Sequence, residues 1–341
     1  MPRSLKYLSN PCFEDPMNNN NPTHDHTSFG HDTTTEEVLG DTDLGGKRAL
    51  VTGATAGLGV ETARALAAHG AAVTLTARDM DRGEAVAQTI RDSTGNPHVD
   101  VMSMELGSLD SVRRFADAWL DRYDTLNLLI NNAGVMACPQ GITEDGFELQ
   151  FGTNHLGHFL LTNLLVPALV KGAPARVVCL SSRAHHMAGI DFEDIGFAFR
   201  DYDKWVAYAQ SKTANVLFAV ALDKRLAGRG VRAFAVHPGV IETELSRHME
   251  QADREMLAAR GKQLGGMQLK SIPAGAATSV FAATSPSLEG QGGLYLEDCG
   301  VASINDEVNA AQGVRSWAVD ETAAERLWAV SEELVGQQFH L

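Results

Sequence analysis

Short apolar runs alternate with longer amphipathic segments from residue 47 almost to the end of the chain, and few folds accommodate this pattern. The amphipathic segments carry apolar residues at helical spacing, as Val60, Ala63 and Leu66 do ahead of Gly70. Strands that alternate with helices need crossover connections, which make the strands parallel and place helices on both faces. The pattern therefore predicts an α/β fold, a three-layer doubly wound parallel sheet. The six runs with the length of a buried strand are residues 48–51, 72–76, 99–104, 126–130, 176–180 and 231–236.

The alternation covers a single domain, from about residue 45 to residue 300, and leaves a segment at either end. Residues 1–44 are polar and without periodicity, which predicts a loose N-terminal arm. Within the arm, Thr34 and Glu37 have the spacing of a capping box and predict a short helix that docks the arm. Residues 301–341 form a C-terminal tail with a helix near residues 321–334. The histidines of the arm are interpreted as solvated, so no metal site is predicted at His24, His26 and His31.

The composition excludes several classes of function. Asp and Glu number 43 against 28 Lys and Arg, a net charge of −15, whereas binding of nucleic acid needs clustered basic residues. No run approaches the roughly 18 uninterrupted apolar residues of a membrane span. Four scattered cysteines without a CxxC pair, and no signal-peptide pattern, predict a cytoplasmic protein without a disulfide framework.

A glycine-rich turn follows the first predicted strand directly, as Thr52-Gly53-Ala54-Thr55-Ala56-Gly57-Leu58-Gly59, and a helical pattern comes next. Glycines let the backbone approach a pyrophosphate closely, and the first amides of the helix attract its negative charge. A glycine trio alone is also compatible with an ordinary strand-to-helix turn, the less favoured alternative. The order strand, glycines, helix favours a dinucleotide-binding site.

The tip of the second predicted strand bears on which dinucleotide is bound. A carboxylate there would bind the ribose 2′-hydroxyl of NAD, whereas a basic residue accommodates the 2′-phosphate of NADP. The tip carries Ala77, followed by Arg78 and Asp79. Because a guanidinium matches phosphate geometry, NADP(H) is favoured, and Asp79 leaves NAD(H) open as the alternative.

Tyr208 and Lys212 lie in a segment of helical period and are four residues apart, so the phenol and the ammonium share one helix face. A nearby positive charge favours phenolate. We therefore expect the ammonium to lower the pKa of Tyr208 from its usual value of about 10 toward values useful for proton transfer.

These motifs belong to a longer ordered series. The series consists of Thr52 with the glycine turn, Asn131-Asn132-Ala133-Gly134, Asn154-His155-Leu156-Gly157-His158-Phe159, Ser181-Ser182, Tyr208-x3-Lys212 and His237-Pro238-Gly239. In this order it resembles the short-chain dehydrogenase/reductase family, whose members have a Rossmann fold, over residues 45–296. The segments that begin at Asn154 and Tyr208 are most similar to its retinol-dehydrogenase and WW-domain-oxidoreductase-like branch, including the soluble bacterial members.

The resemblance implies a role for each catalytic residue. Tyr208 would exchange a proton with the substrate oxygen, and Lys212 would bind the nicotinamide ribose and tune Tyr208. Ser182 would hydrogen-bond the carbonyl as charge develops on it, with Ser181 as the alternative. Asn154 would hold a helix kink and a water that links Lys212 to solvent. The implied cofactor-binding residues are Thr52, Gly53, Thr55, Gly57, Leu58, Gly59, Arg78, Glu105, Leu106, Asn132, Ala133, Gly134, Tyr208, Lys212, Pro238, Gly239, Ile241 and Thr243.

The chain departs from the family pattern at two places. Glu105-Leu106 stands where the family has Asp-Leu beside the adenine, and the longer carboxylate still reaches that position. Ser182 and Tyr208 are also further apart than is usual. The resulting insert, residues 183–207, is expected over the substrate mouth, and a merely structural loop is an equally weighted alternative.

Residues 244–270 are expected to form a mobile lid over the site. One stripe of apolar residues at helical spacing either seats the lid helix on the core or forms an adaptable wall for an apolar substrate. The stripe consists of Leu245, Met249, Met256 and Leu257, and Met136 and Met187 are candidates for the same wall.

The sequence thus predicts an NADP(H)-dependent enzyme that interconverts a hydrophobic secondary alcohol and its ketone or aldehyde, with a steroid-, retinoid- or aromatic-like substrate. Two alternatives keep the same fold. One is a reductase of carbon–carbon double bonds, and the other is a non-catalytic protein that senses NADP. A homodimer and a homotetramer both stay open as the assembly.

Overall fold

The computed structural model of the protein describes residues 29–263, 266 and 268–341. Within these residues eight strands form one sheet in the order β3-β2-β1-β4-β5-β6-β7-β8. Strands β1 to β7 are parallel, and β8 pairs antiparallel with β7 at the edge. The predicted doubly wound sheet is confirmed. The strands are β1 Arg48–Val51, β2 Ala72–Ala77, β3 Val99–Ser103, β4 Leu128–Asn131, β5 Ala175–Leu180, β6 Val231–His237, β7 Leu294–Glu297 and β8 Gly300–Val301.

Helices cover both faces of the sheet. Helices α1, α2, α3 and α10 contribute to one hydrophobic core, and α4, α6, α8 and α11 contribute to the other. The helices are α1 Thr35–Leu39, α2 Gly57–Ala68, α3 Met80–Thr94, α4 Leu109–Arg122, α5 Leu149–Phe151, α6 Gly157–Leu164, α7 Val166–Lys171, α8 Lys204–Leu226, α9 Gln251–Gln263, α10 Ile272–Thr284 and α11 Glu321–Val335. A π-helical turn, Gly152–Leu156, joins α5 to α6.

The strands are mainly apolar at their centres because both faces of the sheet are covered. In β1, Ala49 and Val51 belong to one core and Leu50 to the other. The strand order reverses between β1 and β4, so the turns at their carboxyl ends diverge and leave a crevice. The ligand site of such a sheet is expected at this point.

In its described part the N-terminal arm forms a short helix that packs on the domain. The Thr34 hydroxyl accepts a hydrogen bond from the Glu37 amide, and the Glu37 carboxylate accepts one from the Thr34 amide. The helix that this capping box begins packs against α2 and α10. Glu36 pairs with Arg64 of α2 at 2.7 Å. The predictions for His24 and His26 lie outside the described residues.

The C-terminal tail forms α11, as predicted, and this helix packs on the outer face of α8. Trp328 lies against Phe159 and Phe218, and the Ser331 hydroxyl is 2.8 Å from Nε2 of the buried His155. No helix among the described residues has both the length and the apolarity to cross a bilayer. The same part of the chain contains no group of three or more His, Cys, Asp or Glu arranged to hold a metal ion.

Candidate active site

A cavity of about 1280 Å³ opens at the carboxyl ends of the strands, where the strand order reverses. Its walls are the turns that follow β1, β2, β4, β5 and β6, the first half of α8 and the segment that contains α9. Parallel strands all end at this edge, so motifs that are far apart in sequence meet here. All but two of the predicted site residues line the cavity; the exceptions are Thr52 and Asn154.

The glycine turn between β1 and α2 has the close contacts that demand glycine. Gly53 and Gly57 have φ values of +63° and +59°, which favour glycine over other residues. A Cβ on Gly53 would lie 2.7 Å from the Cα of Ala133, and one on Gly59 would lie 2.4 Å from the Gly53 carbonyl oxygen. Ala56, at the N-cap of α2, has no side-chain capping bond, so the first amides of the helix face the cavity. The turn therefore fits the pyrophosphate of a dinucleotide.

Thr52 lies behind this wall and supports it. The side chain is fully buried, and its Oγ accepts hydrogen bonds of 2.9 Å from the amides of both Asn132 and Ala133. The Asn132 amide group returns a bond of 2.7 Å to the Thr52 carbonyl. These bonds join the ends of β1 and β4. Thr52 thus holds the wall in place rather than lining the cavity.

At the far end of the cavity Arg78 projects from the tip of β2. Its guanidinium lies 3.3 Å from the Glu105 carboxylate, and its side chain is 68% exposed. The other Glu105 oxygen accepts a bond of 2.9 Å from the Gly107 amide. Leu106 lines the same end. The two predicted adenosine contacts, Glu105 and Leu106, are therefore adjacent to Arg78.

Arg82 also lines this end, and sequence reasoning missed it. Asp79 is the N-cap of α3 and accepts a 3.0 Å bond from the Arg82 amide. This places Arg82 in the first turn of the helix, where its guanidinium pairs with Glu244 at 2.8 Å. Asp79 precedes Arg82 by three residues, the spacing of an N-cap, and this could have indicated that Arg82 lies in the first turn of the helix, near the strand tip.

The catalytic residues gather around the middle of the cavity. Tyr208 and Lys212 share one face of α8, and the Lys212 Nζ lies 5.6 Å from the centre of the Tyr208 ring. Ser182 follows β5 and hydrogen-bonds the Tyr208 phenol. The Ser181 hydroxyl instead donates to the Lys212 carbonyl at 2.9 Å. Of the two serines, Ser182 is therefore the one beside the phenol.

The expected lowering of the pKa of Tyr208 by the ammonium is not found. Burial raises the pKa of Tyr208 to about 12, because the phenolate would lose its hydration, and the Ser182 hydrogen bond offsets only part of this rise. Burial also lowers the pKa of Lys212 to about 8. The Lys212 ammonium donates to the Leu180 carbonyl at 3.0 Å. Desolvation of the phenol therefore determines the direction of the shift.

Asn154 lies in the π-helical turn, where the predicted kink occurs. Its side chain forms two bonds with the Val135 backbone, of 2.8 and 2.9 Å. A Cβ on Gly134 would lie 3.2 Å from the Asn154 side-chain oxygen and 3.6 Å from the Lys212 Nζ. Asn154 and Lys212 thus converge on Gly134, one from behind the wall and one from within the cavity.

His158, which sequence reasoning did not single out, connects Asn154 to the glycine turn. Its Nδ1 lies 3.0 Å from the Asn154 carbonyl and its Nε2 lies 2.9 Å from the Thr52 hydroxyl. The carbonyl can only accept, so Nδ1 carries the proton and Nε2 accepts from Thr52. Burial lowers the pKa of His158 to about 4, which keeps the ring neutral. The signal for this contact in the sequence was the spacing of four residues between Asn154 and His158.

The turn after β6 forms the wall beside Tyr208 that the resemblance assigned to the nicotinamide. Pro238, Gly239, Ile241 and Thr243 all line the cavity. Gly239 has a φ of +95°, and the Thr243 hydroxyl accepts from the Leu245 amide to begin the lid. The lid itself consists of a 3₁₀ turn, Glu244–His248, followed by α9.

The apolar stripe of the lid faces the cavity. The predicted apolar wall residues that line it are Leu245, Met249, Met256 and Leu257, together with Met136 and Met187. Of the two alternatives for the stripe, this arrangement favours the adaptable wall.

Only the two ends of the insert reach the mouth of the cavity. Residues 183–187, except the buried His185, and Trp205 line it. Between them Ile190, Phe192 and Ile195 pack against the core beneath, and Arg200 pairs with two aspartates of the insert. The ends of the insert therefore lie at the mouth, whereas its centre matches the structural alternative, because apolar residues there hold it against the core.

A segment of the C-terminal tail completes the mouth, and sequence reasoning missed it. Residues 308–310 line the cavity. The buried Arg315 holds this segment by donating to the carbonyls of Asn305 at 2.8 Å and Glu307 at 2.6 Å. His186 bonds the Gly313 carbonyl at 2.8 Å. The segment has no periodicity, so nothing in its local sequence predicts where it lies.

Comparisons with known proteins agree with this geometry. A profile of the short chain dehydrogenase family matches residues 47–254. Human retinol dehydrogenase 13 is 43% identical over 291 residues, covering 85% of each chain. Human retinol dehydrogenase 12 is 44% identical over 297 residues, covering 86% of this chain and 87% of its own.

Solved structures give the same result. The crystal structure of an uncharacterised protein from Mycobacterium paratuberculosis is similar with a TM-score of 0.68 and 36% identity, covering 89% of this chain and 98% of that one. A protein described as an NAD(P) dependent gluconate 5-dehydrogenase from Beutenbergia cavernae, with bound NADP, has a TM-score of 0.62 and 25% identity, and the match covers 76% of this chain and 97% of that one.

Proposed function

The chain belongs to the short-chain dehydrogenase/reductase family and is an oxidoreductase, and on this premise we propose that it interconverts a hydrophobic alcohol and its carbonyl compound with NADP(H), a secondary alcohol with its ketone or a primary alcohol with its aldehyde. The observation that carries the proposal is the placement of Ser182, Tyr208 and Lys212 in one cavity with the glycine turn. A sensor of NADP would have no use for a proton donor at this position.

Each of these side chains has a defined task in the proposed reaction. The nicotinamide, when bound, supplies or accepts the hydride. In the reducing direction Tyr208 donates its proton to the carbonyl oxygen, and its raised pKa keeps the phenol protonated until then. Ser182 donates a hydrogen bond to the same oxygen as negative charge develops on it. Lys212 donates hydrogen bonds from its ammonium to the ribose hydroxyls. Its position next to Asn154 and Gly134 also serves proton exchange with solvent.

Two guanidiniums support NADP(H) as the cofactor. Arg78 and Arg82 both line the end of the cavity beyond the glycine turn, and both are exposed enough to turn toward a 2′-phosphate. Asp79, the carboxylate that could have favoured NAD(H), caps α3 instead. Arginine binds phosphate through paired N–H donors, which suits this position.

The walls near Tyr208 support an apolar substrate. Five methionines line the cavity, and flexible thioether side chains adapt to varied apolar shapes. The retinol dehydrogenases that the chain resembles are named for an apolar alcohol of this kind. Steroid-, retinoid- and aromatic-like alcohols and carbonyls therefore form the proposed substrate class.

A substrate panel tests the proposal. Retinal, a steroid ketone, acetophenone and an enone are incubated with NADPH or NADH, and the nicotinamide absorbance is followed in both directions. We expect carbonyl reduction with NADPH, slower reduction with NADH, and loss of the NADPH preference in Arg78→Ala. Reduction of only the enone double bond, or no hydride transfer with any compound, contradicts the proposed reaction.

A further inference from the structure

We propose that Trp205 selects substrates by the size of the group beside the reacting carbon, and that Asp253 of the lid fixes the Trp205 ring in position. This inference rests on the dehydrogenase function proposed above. It names the part of the cavity that sets specificity, and it narrows the substrate class to carbonyls with one slim side, such as aldehydes and methyl ketones.

The position of Trp205 in α8 brings its ring next to the reacting atoms. Trp205 precedes Tyr208 by three residues, so both side chains project from the same helix face. Their ring centres are 6.5 Å apart and the planes meet at 81°. Trp205 also lines the cavity. A substrate whose oxygen contacts the phenol must therefore place one of its two carbon substituents near the indole.

The lid holds the indole through a buried carboxylate. The Trp205 Nε1 donates to one Asp253 oxygen at 3.0 Å. The other oxygen accepts from the Lys204 ammonium at 2.6 Å and from the Glu250 amide at 2.8 Å. The Asp253 side chain is only 7% exposed. Rotation of the indole out of the cavity would leave this carboxylate short of a donor, which is costly where water is excluded.

The contrast with the remaining wall makes Trp205 the selective element. The lid residues Met249, Met256 and Leu257 have several rotatable bonds and can adapt to a substrate. The indole is planar and held at its nitrogen, so it cannot move aside in the same way. A substituent beside the indole therefore meets a rigid surface, which disfavours a bulky group more than a hydrogen or a methyl group. Trp205 therefore discriminates between substrates by the size of this group, and the lid residues tolerate varied shapes in the rest of the substrate.

Acetophenone and isobutyrophenone test this inference, because they share a ring and differ only in the alkyl group. Binding of each ketone to the NADPH complex is measured by quenching of NADPH fluorescence, and kcat and KM are measured in parallel. In the wild type we expect kcat/KM and affinity to favour acetophenone by about tenfold or more, as for steric discrimination in a fitted pocket. In Trp205→Ala the ratio should fall to about one, mainly through tighter binding of isobutyrophenone.

Substitutions of Asp253 separate its role in holding the Trp205 ring from a general effect on the lid. Asp253→Ala frees the indole and should reduce the selectivity in the same direction as Trp205→Ala. Asp253→Asn keeps an oxygen acceptor for the indole N–H and should keep most of the selectivity. Glu255→Ala is the matched control on the same helix, since the exposed Glu255 side chain accepts a bond from Gln251 of that helix. Tryptophan emission should change in Asp253→Ala and not in Glu255→Ala.

The outcomes distinguish the inference from the function on which it rests. If the binding ratio is the same in the wild type and Trp205→Ala, or neither ketone binds, the inference is wrong. If the binding ratio changes as expected and no variant, including the wild type, turns over either ketone, the inference about the cavity wall stands and the proposed reaction fails. A selectivity loss in Glu255→Ala equal to that in Asp253→Ala would also overturn the role of Asp253.

Discussion

At the scale of single residues, burial decides the chemistry of the site more than the spacing of charges does. Tyr208 is almost entirely buried, and the resulting rise of its pKa to about 12 makes it a reluctant acid that stays protonated at neutral pH. Lys212, equally buried, is held by the Leu180 carbonyl. The helical spacing of the two residues correctly placed them together, but it contains no information on how much water reaches them. For this reason the direction predicted for the pKa of Tyr208 was wrong.

The serine pair provides a test at this scale. Ser182→Ala removes the hydroxyl that bonds the Tyr208 phenol and faces the substrate oxygen, so we expect kcat to fall by about 10²–10³-fold. Steady-state kinetics with acetophenone and NADPH measures this.

Ser181→Ala is the matched control for that substitution. Its hydroxyl bonds the Lys212 carbonyl, so its loss should lower the free energy of unfolding by about 1 kcal/mol and change kcat little. A larger fall of kcat in Ser181→Ala than in Ser182→Ala would reverse the assignment of the two serines.

At the scale of elements, the sheet and the glycine turn followed from the sequence because local chemistry determines them. A strand buried on both faces is mainly apolar, as in residues 128–130 of β4, so a continuous apolar run marks it. The glycine turn needs residues without a Cβ, and no other residue type satisfies that requirement. The apolar residues of the lid were equally visible in the sequence, although Leu245 and Met249 precede α9 and only Met256 and Leu257 lie on it.

The mouth of the cavity could not be predicted in the same way. Residues 308–310 are held in place by hydrogen bonds of Arg315 and His186. Arg315 is buried and belongs to no recognisable motif, and His186 is distant in sequence. The centre of the insert packs against the core through Phe192 and its neighbours, and this depends on a surface formed by other elements. Irregular segments obtain their position from tertiary hydrogen bonds, which leave no periodic pattern.

The glycine turn is the element whose role is most directly testable. Gly59→Ala puts a Cβ 2.4 Å from the Gly53 carbonyl oxygen and 2.6 Å from the Asn132 side-chain nitrogen, so the turn must deform. We expect the Kd for NADPH to rise by about tenfold or more, with the free energy of unfolding reduced as well.

Gly228→Ala serves as its control, because a Cβ there meets no atom within 4 Å and the backbone is not left-handed. Fluorescence titration of both variants with NADPH measures the effect. Equal affinities in Gly59→Ala and the wild type would show that the turn does not bind the dinucleotide.

At the scale of the whole molecule, the C-terminal tail is part of the support for catalysis. Helix α8 carries Tyr208 and Lys212 and lies between the sheet and α11. The interface with α11 encloses His155, which is fully buried among aromatic rings and whose Nε2 pairs with Ser331. The acidic net charge of −15 has no part in this interior and concerns the outer surface.

The buried histidines predict a loss of stability in acid. Burial lowers the pKa of His155 to about 3, whereas an unfolded histidine has a pKa of about 6.5. As the pH falls from about 6.5 to 3 the unfolded chain therefore binds a proton that the folded protein does not, and stability decreases by up to about 1.4 kcal/mol per pH unit for this group. His155→Phe should make the dependence of the unfolding free energy on pH shallower.

Urea unfolding at pH values between 4 and 7, roughly the range in which this group titrates, measures the effect. His98→Gln, at an exposed position, should leave the slope unchanged. A His155→Phe slope that equals the wild-type slope would show that His155 does not remain neutral in the folded protein.

Tyr208→Phe tests directly whether Tyr208 transfers the proton in an NADP(H)-dependent reaction. The two side chains differ by one hydroxyl, so the cavity and the bond of Lys212 to the Leu180 carbonyl should persist. The measurement is NADPH affinity by fluorescence together with turnover of acetophenone by nicotinamide absorbance. We expect a Kd for NADPH within about threefold of the wild type and a kcat lower by about 10²–10⁴-fold, which is the contribution of a positioned acid. A kcat within a few-fold of the wild type would contradict this role of Tyr208.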